Sequence, residues 1–467
     1  MRNDWEIEGF LTSEHNELQI DGVSAAGLAR EYGTPLFVFS EKRIARNIAR
    51  LQEAFRGGEP RLKVCYASKA NSNLSILRAV LKAGADVEVN SGGELFKSLE
   101  AGFGPSQIIF NGTSKDEREI EEAICAGIYS IQADSIAEIE QIERVANDSG
   151  VPANVSLRLV PEIRTDTLHG LQTALVTSKF GMMPEEAVNA FGRWSDPEGP
   201  VRFKGVHIHL GSQNPSPEPY AEALKALYGE AKAIFERTGV KVSHLNIGGG
   251  FPVNYLRDQS HAEMIQPDQA ALFGSEFDAG AALRSAWEKV CGIASEEGFE
   301  ELLEGIEIVI EPGRSVIADA GVCLTTVRNR KSRPVGEGGT DEWLLTDAGF
   351  NILLSMETYK WYYHIVAAVR AGEPHTAPYR LAGPLCDGGD VYFDIEGRNR
   401  LPDHRLLPEG VQIGDLLALL NCGAYSIAQM FPYNGRVLPA VVMIEADGNV
   451  KLARKRDKYE DLLRNEV

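Results

Sequence analysis

The sequence predicts an α/β chain, a (β/α)8 TIM-type barrel followed by a β-rich domain. Three observations carry this. Between residues 62 and 311, apolar runs of about five residues alternate with helical stretches. Eight such units over roughly 250 residues fit a closed barrel of parallel strands with right-handed crossovers. After about residue 315 the strand-like runs continue, but regular helices no longer separate them.

Residues 1–39 precede this rhythm and end in the strand-like Pro35-Leu36-Phe37-Val38-Phe39. They are expected to pack with the β-rich domain, because the barrel begins only near residue 40. Ser40 caps a predicted helix over 41–55, with Ile44, Ile48, Leu51 and Phe55 on one face. The predicted barrel strands are 62–67, 85–89, 107–111, 128–133, 154–159, 205–210, 243–248 and 306–311. The barrel domain is placed at 40–315 and the β-rich domain at 316–467. Strands in the latter are expected over 316–327, 343–345, 379–381, 391–393, 416–420 and 440–445. Two stretches, 160–178 and 254–275, look like long loops, and long loops at the carboxyl side of a barrel are usually lids or rims.

Composition narrows the function. The chain has 467 residues, 43% of them hydrophobic, enough for two good-sized cores. Its 47 basic and 67 acidic side chains give a net charge of −20, which argues against nucleic acid and against an anionic membrane surface. The six cysteines are scattered without a CxxC pair and read as reduced thiols of a cytoplasmic protein. The N-terminus lacks a signal-peptide apolar region. No run approaches 18 uncharged apolar residues, the length of a membrane span.

In a barrel, side chains at the carboxyl ends of the strands build the active site. Those ends supply Lys69, Glu88, Asn111, Arg158, His209, Gly248-Gly249-Gly250 and Glu311. Lys69 follows the buried run Leu62–Ala67. Burial there would lower its pKa, and a neutral amine attacks carbonyls to form a Schiff base; a solvated lysine capping the strand is the alternative. The glycine triplet reads as a phosphate-binding nest or as a tight turn. His207 and His209 alternate onto one strand face. They would hold a metal or stack on a ring cofactor, and without a third ligand at suitable spacing no metal is expected. Ser212 would hydrogen-bond a phosphate or a ring oxygen. Glu311 would hold a pyridinium proton, which makes such a ring an electron sink, or would form a local ion pair with Arg314. Arg314 suits a phosphate or a carboxylate. In the β-rich domain, the Gly/Pro-rich loop Gly383–Asp390 sets the thiol of Cys386 beside the carboxylate of Asp387, and Tyr425 follows a strand near a turn.

Together these parts fit pyridoxal 5'-phosphate chemistry. The motifs YASKAN, VNSGGEL, SKFG, GVHIHLGSQ, NIGGGFP, EPGR, GPLCDGGD, NCGAY and the tail Tyr459–Leu463 occur in order over nearly the whole chain. On these residues the chain resembles the fold-type III pyridoxal-phosphate-dependent decarboxylases, the group of diaminopimelate and eukaryotic-type ornithine decarboxylases. The resemblance implies an alanine racemase-like barrel plus β domain. It implies that Lys69 is the Schiff-base lysine, that His209 stacks on the ring and that Glu311 pairs with its nitrogen. Ser212, Gly249, Gly250, Arg314 and Tyr425 would hold the phosphate, and Glu88 matches an acidic residue near the cofactor. Cys386 would return a proton to the carbon that loses CO2. Asp387 would bind a distal amine, with Tyr359 and Arg314 also at the substrate. The loop of Cys386 and Asp387 would enter the partner's site in a homodimer.

Two departures bear on substrate. Ser355 and Met356 stand where the diaminopimelate group typically has Arg-Pro, whose arginine receives a distal carboxylate, and Cys386-Asp387-Gly388 resembles the ornithine type. Losing a charge-assisted pair costs on the order of 2–3 kcal/mol of discrimination. Lys360 follows Tyr359 where the eukaryotic ornithine type has aspartate. Diaminopimelate enzymes attack a D-configured carbon and the chain is mostly similar to them, so the resemblance, most of all to D-ornithine/D-lysine decarboxylases, implies decarboxylation of D-ornithine or D-lysine to putrescine or cadaverine. The alternatives are meso-diaminopimelate decarboxylation, L-ornithine or L-lysine decarboxylation, a non-catalytic pyridoxal-binding regulator, and a racemase.

Overall fold

The eight apolar runs form eight parallel strands: β1 (Arg61–Ala67), β2 (Asp86–Val89), β3 (Ile108–Phe110), β4 (Ser130–Ala133), β5 (Ala153–Arg158), β6 (Val201–His207), β7 (His244–Asn246) and β8 (Glu307–Ile310). Each pairs with its successor, and β8 pairs with β1 to close the barrel. The computed structural model describes residues 4–336 and 338–467; Met1 to Asn3, at the head of the N-terminal segment, lie outside it. One unit comprises residues 45–252 and 276–316, the other residues 1–44, 253–275 and 317–467.

Local chemistry sets the barrel helices. Asn73 caps Leu74–Lys82 by accepting from Ser75 N, and that helix buries Ile76, Leu77, Ala79 and Val80. Asp116 and Glu119 form a reciprocal capping box on Glu117–Ala126. Inside the barrel, Cys65, Ile109 and Val309 pack against Tyr129. The Tyr129 hydroxyl donates to Glu307 Oε2 at 2.9 Å, and His244 Nε2 lies 3.1 Å from Ser156 Oγ. A register shift in β6 falls between Phe203 and Gly205, and a Cβ on Gly205 would sit 2.4 Å from the His244 ring. Glycine is required there by close approach.

In the β-rich unit, Gly321–Val335 is the longest strand. It pairs with Gly339–Thr346, with Leu416–Leu419 and with the N-terminal strand Leu36–Ser40. A three-stranded sheet, Leu11–Glu14, Glu17–Ile20 and Val23–Ser24, joins the same core: Leu11, Leu18 and Ile20 pack in one cluster with Val322, Leu324 and Val442. Three expectations need correction. The predicted strand 391–393 is only an isolated bridge between Ala382 and Val391, because the loop before it folds back on Asp390, whose carboxylate accepts from Phe350 N and Leu385 N. The stretch 254–275 is not a structureless loop: it contains the helix Pro267–Phe273 and belongs to the β-rich unit. Residues 314–317, at the predicted start of strand 316–327, form a short helix, and the strand begins at Gly321.

His261 and His364 are buried in this unit, with the Tyr362 hydroxyl 3.0 Å and 3.3 Å from their Nδ1 atoms. Asp258 completes a cluster of metal-ligand type. However, His261 Nε2 accepts the Leu406 N–H, so a neutral ring there has no lone pair left for a cation. Burial, then neighbouring cations, pushes both imidazoles down to about 3. A depressed histidine costs stability once the unfolded chain takes up protons. That cost begins as pH falls through the unfolded value near 6.5 and grows until pH reaches about 3. Stability should therefore drop between pH 7 and pH 5, on the order of 2 kcal/mol per histidine at pH 5. Urea unfolding at the two pH values checks this.

Candidate active site

Lys69 lies in the short turn Ser68–Ala70 at the carboxyl end of β1. Its side chain is 35% exposed, and Nζ lies 3.4 Å from both oxygens of the fully buried Glu88 on β2. Glu311, just after β8, is almost fully buried. Asn246 Nδ2 donates to its Oε1 at 2.7 Å and Asn111 Nδ2 to its Oε2 at 2.9 Å; Asn111 Nδ2 also reaches Glu88 Oε1 at 2.8 Å. Two buried carboxylates bridged by one amide do not both ionise freely. Burial, reinforced by Glu311 and opposed by Lys69, raises Glu88 to about 7. Burial would also raise Glu311, but His207, Lys69 and His209 outweigh it and hold Glu311 low. The site thus has one permanent carboxylate and one that titrates near neutrality.

Both histidines of the GVHIHLGSQ segment lie beside Glu311, although β6 ends at His207 and His209 lies beyond it. Burial pushes both imidazoles down, against the opposing pull of Glu311, and for His209 the cations Lys69 and Arg158 add to the downward effect. Gly249 N–H donates to His209 Nδ1 at 3.2 Å, which fixes the tautomer with the proton on Nε2. Glu311 is the third metal-type group that sequence spacing did not reveal. Lys69 and Arg158, acting electrostatically on the same groups, oppose a dication there.

The glycine run follows β7. Gly248 and Gly250 have φ of +66° and +97°, and a Cβ on Gly249 would lie 2.3 Å from Glu311 O. Arg314 Nε and Nη2 each donate to Ser212 Oγ at 3.1 Å. Arg158, at the end of β5, is buried with its guanidinium 4.0 Å from the Phe180 ring centroid.

Among the predicted site residues, the barrel unit thus carries Lys69, Glu88, His209, Ser212, Gly249, Gly250, Glu311 and Arg314. The β-rich unit carries Tyr359, Cys386, Asp387 and Tyr425. In that unit, the Tyr433 hydroxyl reaches Asp387 Oδ2 at 3.3 Å, and Cys386 N–H donates to Asn434 Oδ1 at 2.6 Å. Tyr425 takes a left-handed backbone with φ of +56°. The sequence reading gave no role to Asn246, placed Asn111 only at a strand end, and did not pair His207 with a carboxylate; all three hold or face Glu311. Their signal was available: an amide or imidazole at a strand end opposite a carboxylate.

The barrel suits a pyridoxal group. Both ring nitrogens of buried His207, and Asn111 Oδ1, lack a hydrogen-bond partner, so polar capacity faces the carboxylate that would meet a ring nitrogen. Gly248 N–H and Gly249 N–H are spent on Asn246 Oδ1 and His209 Nδ1, so Gly250, Ser212 and Arg314 are the groups that a phosphate would meet. Fold and site together define a barrel enzyme of the pyridoxal-dependent class. Residues 41–318 match the family described as pyridoxal-dependent decarboxylase, pyridoxal binding domain. The chain is 32% identical to a diaminopimelate decarboxylase of Methanothermobacter thermautotrophicus, over 97% of this chain and 96% of that one. It is likewise 31% identical to one of Aquifex aeolicus, covering 97% of each. A crystal structure of the diaminopimelate decarboxylase of M. jannaschii superposes with a TM-score of 0.84 at 31% identity, over 98% of this chain and 97% of that one. The chain belongs to the pyridoxal-dependent decarboxylase family and is a pyridoxal-phosphate-dependent carboxy-lyase acting on amino acids.

These relatives are diaminopimelate decarboxylases, so they give no support to the expectation of D-ornithine or D-lysine as substrate or to the polyamine assignment. That expectation weighed the missing arginine at Ser355 too heavily. Ser355 is buried, and its carbonyl accepts from Tyr359 N and Trp361 N, closing the turn after Leu354–Thr358. The position is occupied by packing and turn formation, and so says little about which cation meets a distal carboxylate.

Proposed function

We propose that the chain decarboxylates meso-diaminopimelate to L-lysine. The observation that carries this is similarity to diaminopimelate decarboxylases over 97% of the chain, with a lysine, a low carboxylate and a glycine nest at the barrel's strand ends. When bound, pyridoxal phosphate supplies a ring that takes up the electron pair released with CO2.

Lys69 holds the cofactor covalently. Glu311, kept ionised by its amide donors, holds the proton on the ring nitrogen. His209, its imidazole pushed well down by burial, would pack on the ring. Ser212, Gly250, Arg314 and Tyr425 would hold the phosphate, with Gly249 kept side-chain-free by its close approach to Glu311 O, and Arg314 would also meet the substrate carboxylate. Glu88, titrating near 7, takes up or releases the proton that Lys69 exchanges. Asp387 and Tyr359 orient the distal end of the substrate. Cys386 delivers a proton to the carbon left by CO2, from a loop that in a homodimer serves the partner's site. Incubation with meso-diaminopimelate should give CO2 and L-lysine in equal amounts; absence of L-lysine would refute the reading.

Two variants probe the β-rich unit. Cys386→Ala should keep the cofactor's absorbance but lower kcat about 100-fold, as for loss of a general acid. Stopped-flow and steady-state kinetics separate the two. Lys360 is a buried cation five positions beyond Ser355, paired with Glu357 Oε2 at 2.6 Å. It is assigned to the distal carboxylate in place of the arginine. Lys360→Met should lower kcat/KM for meso-diaminopimelate about tenfold or more, chiefly through KM.

A further inference from the structure

We propose that the β-rich unit carries a second binding site, for a small polyanion, distinct from the residues assigned to catalysis. A cavity of about 500 Å³ lies within this unit, a size suited to a small metabolite. Thr34, Arg328, Asn329, Asn351, Arg436 and Arg456 supply its polar wall. Three arginines therefore line one space, and Asp347 is the single carboxylate in the lining.

That carboxylate is already engaged. Arg328 Nη2 lies 2.7 Å from Asp347 Oδ2, while Thr325 Oγ1 and Thr326 N donate to Asp347 Oδ1 at 2.7 Å and 3.0 Å. Arg436 and Arg456 have no ion-pair partner among the described residues. Arg436 Nη2 donates to Pro384 O at 2.9 Å, and Arg456 Nη2 to Pro35 O at 2.7 Å. Carbonyl partners position a guanidinium without neutralising it. Asp347 acts electrostatically on Arg456 as well as pairing with Arg328, so three cations share one carboxylate, and a chain of net charge −20 has no general excess of basic groups to account for them.

The chemistry of the wall sets the class of ligand. Planar guanidinium forks bind carboxylate or phosphate oxygens with paired hydrogen bonds. Arg328 is already forked onto Asp347, whose Oδ2 also accepts from Thr34 Oγ1, so Arg436 and Arg456, with the amides of Asn329 and Asn351, are the groups that fit an anion of more than one negative charge: a di- or tricarboxylate, or a phosphate. Pro384 and Leu385 line the same cavity, so the occupant would sit directly behind the loop of Cys386 and Asp387.

The test is calorimetric titration of the holoenzyme with citrate and, separately, with inorganic phosphate; the cofactor remains bound, so its own phosphate cradle is filled. Saturable binding of either probe at one site per chain is expected. Arg436→Gln should weaken it about tenfold or more. Asn329→Asp should do the same by adding a second carboxylate to the wall. It changes no other atom, and the new side chain still accepts the Arg330 N–H that Asn329 Oδ1 accepts at 2.8 Å. The readout is binding, so it stands apart from the identity of the decarboxylation substrate. No saturable heat with either probe at millimolar concentration, or affinity unchanged in both variants, would overturn the site.

Discussion

Lys69→Ala should lose decarboxylation by at least about 1,000-fold, the scale expected when a covalent attachment point is removed. The reason is positional. Lys69 is the amine at the end of β1, 3.4 Å from Glu88 and grouped electrostatically with His209 and Glu311. The variant should still fold. Its loss leaves Glu88 without its cation, but burial already lifts Glu88 to about 7, so the carboxyl takes up a proton rather than standing as a buried bare charge. Circular dichroism should be unchanged, while the absorbance of lysine-bound cofactor disappears. Activity within tenfold of the parent would remove Lys69 from its proposed role.

Glu311→Gln should lower kcat by on the order of 100- to 1,000-fold with little change in KM, since the carboxylate matters only as charge builds in the ring. The structure adds a local argument. Both Glu311 oxygens accept from side-chain amides, Asn246 at 2.7 Å and Asn111 at 2.9 Å. A glutamine can present one oxygen only, so its NH2 must oppose one of these donors. The variant thus loses both the anion and one hydrogen bond, and the absorbance of bound cofactor should shift as its ring nitrogen loses the proton. A glutamine variant with parental kcat would show that Glu311 does not act on the ring.

Much of this site was legible from single positions, because a barrel converts strand ends into neighbours. Lys69, Glu88 and Glu311 lie far apart in sequence, yet each stands at or near a strand's carboxyl end, so their convergence follows from topology alone. The β-rich unit was harder. The strands Ile365–Ala367, Arg405–Leu407 and Val450–Arg454 are short and carry no periodic signal long enough to separate them from loops. The 391–393 run is apolar because Tyr392 and Phe393 are buried, without strand pairing beyond Val391. The role of Asn246 depends on a contact across 65 positions, which sequence cannot measure. Substrate was least legible, because one absent arginine at Ser355 was asked to stand for a whole pocket.

The central claim is the substrate, and it is tested most directly by kcat/KM for CO2 release from meso-diaminopimelate, D-ornithine, D-lysine, L-ornithine and L-lysine with one enzyme preparation. The proposed function predicts that meso-diaminopimelate exceeds every other substrate by at least about 100-fold, the discrimination a pair of charge-assisted contacts to the distal carboxylate provides. A higher kcat/KM for D-ornithine or D-lysine would contradict it.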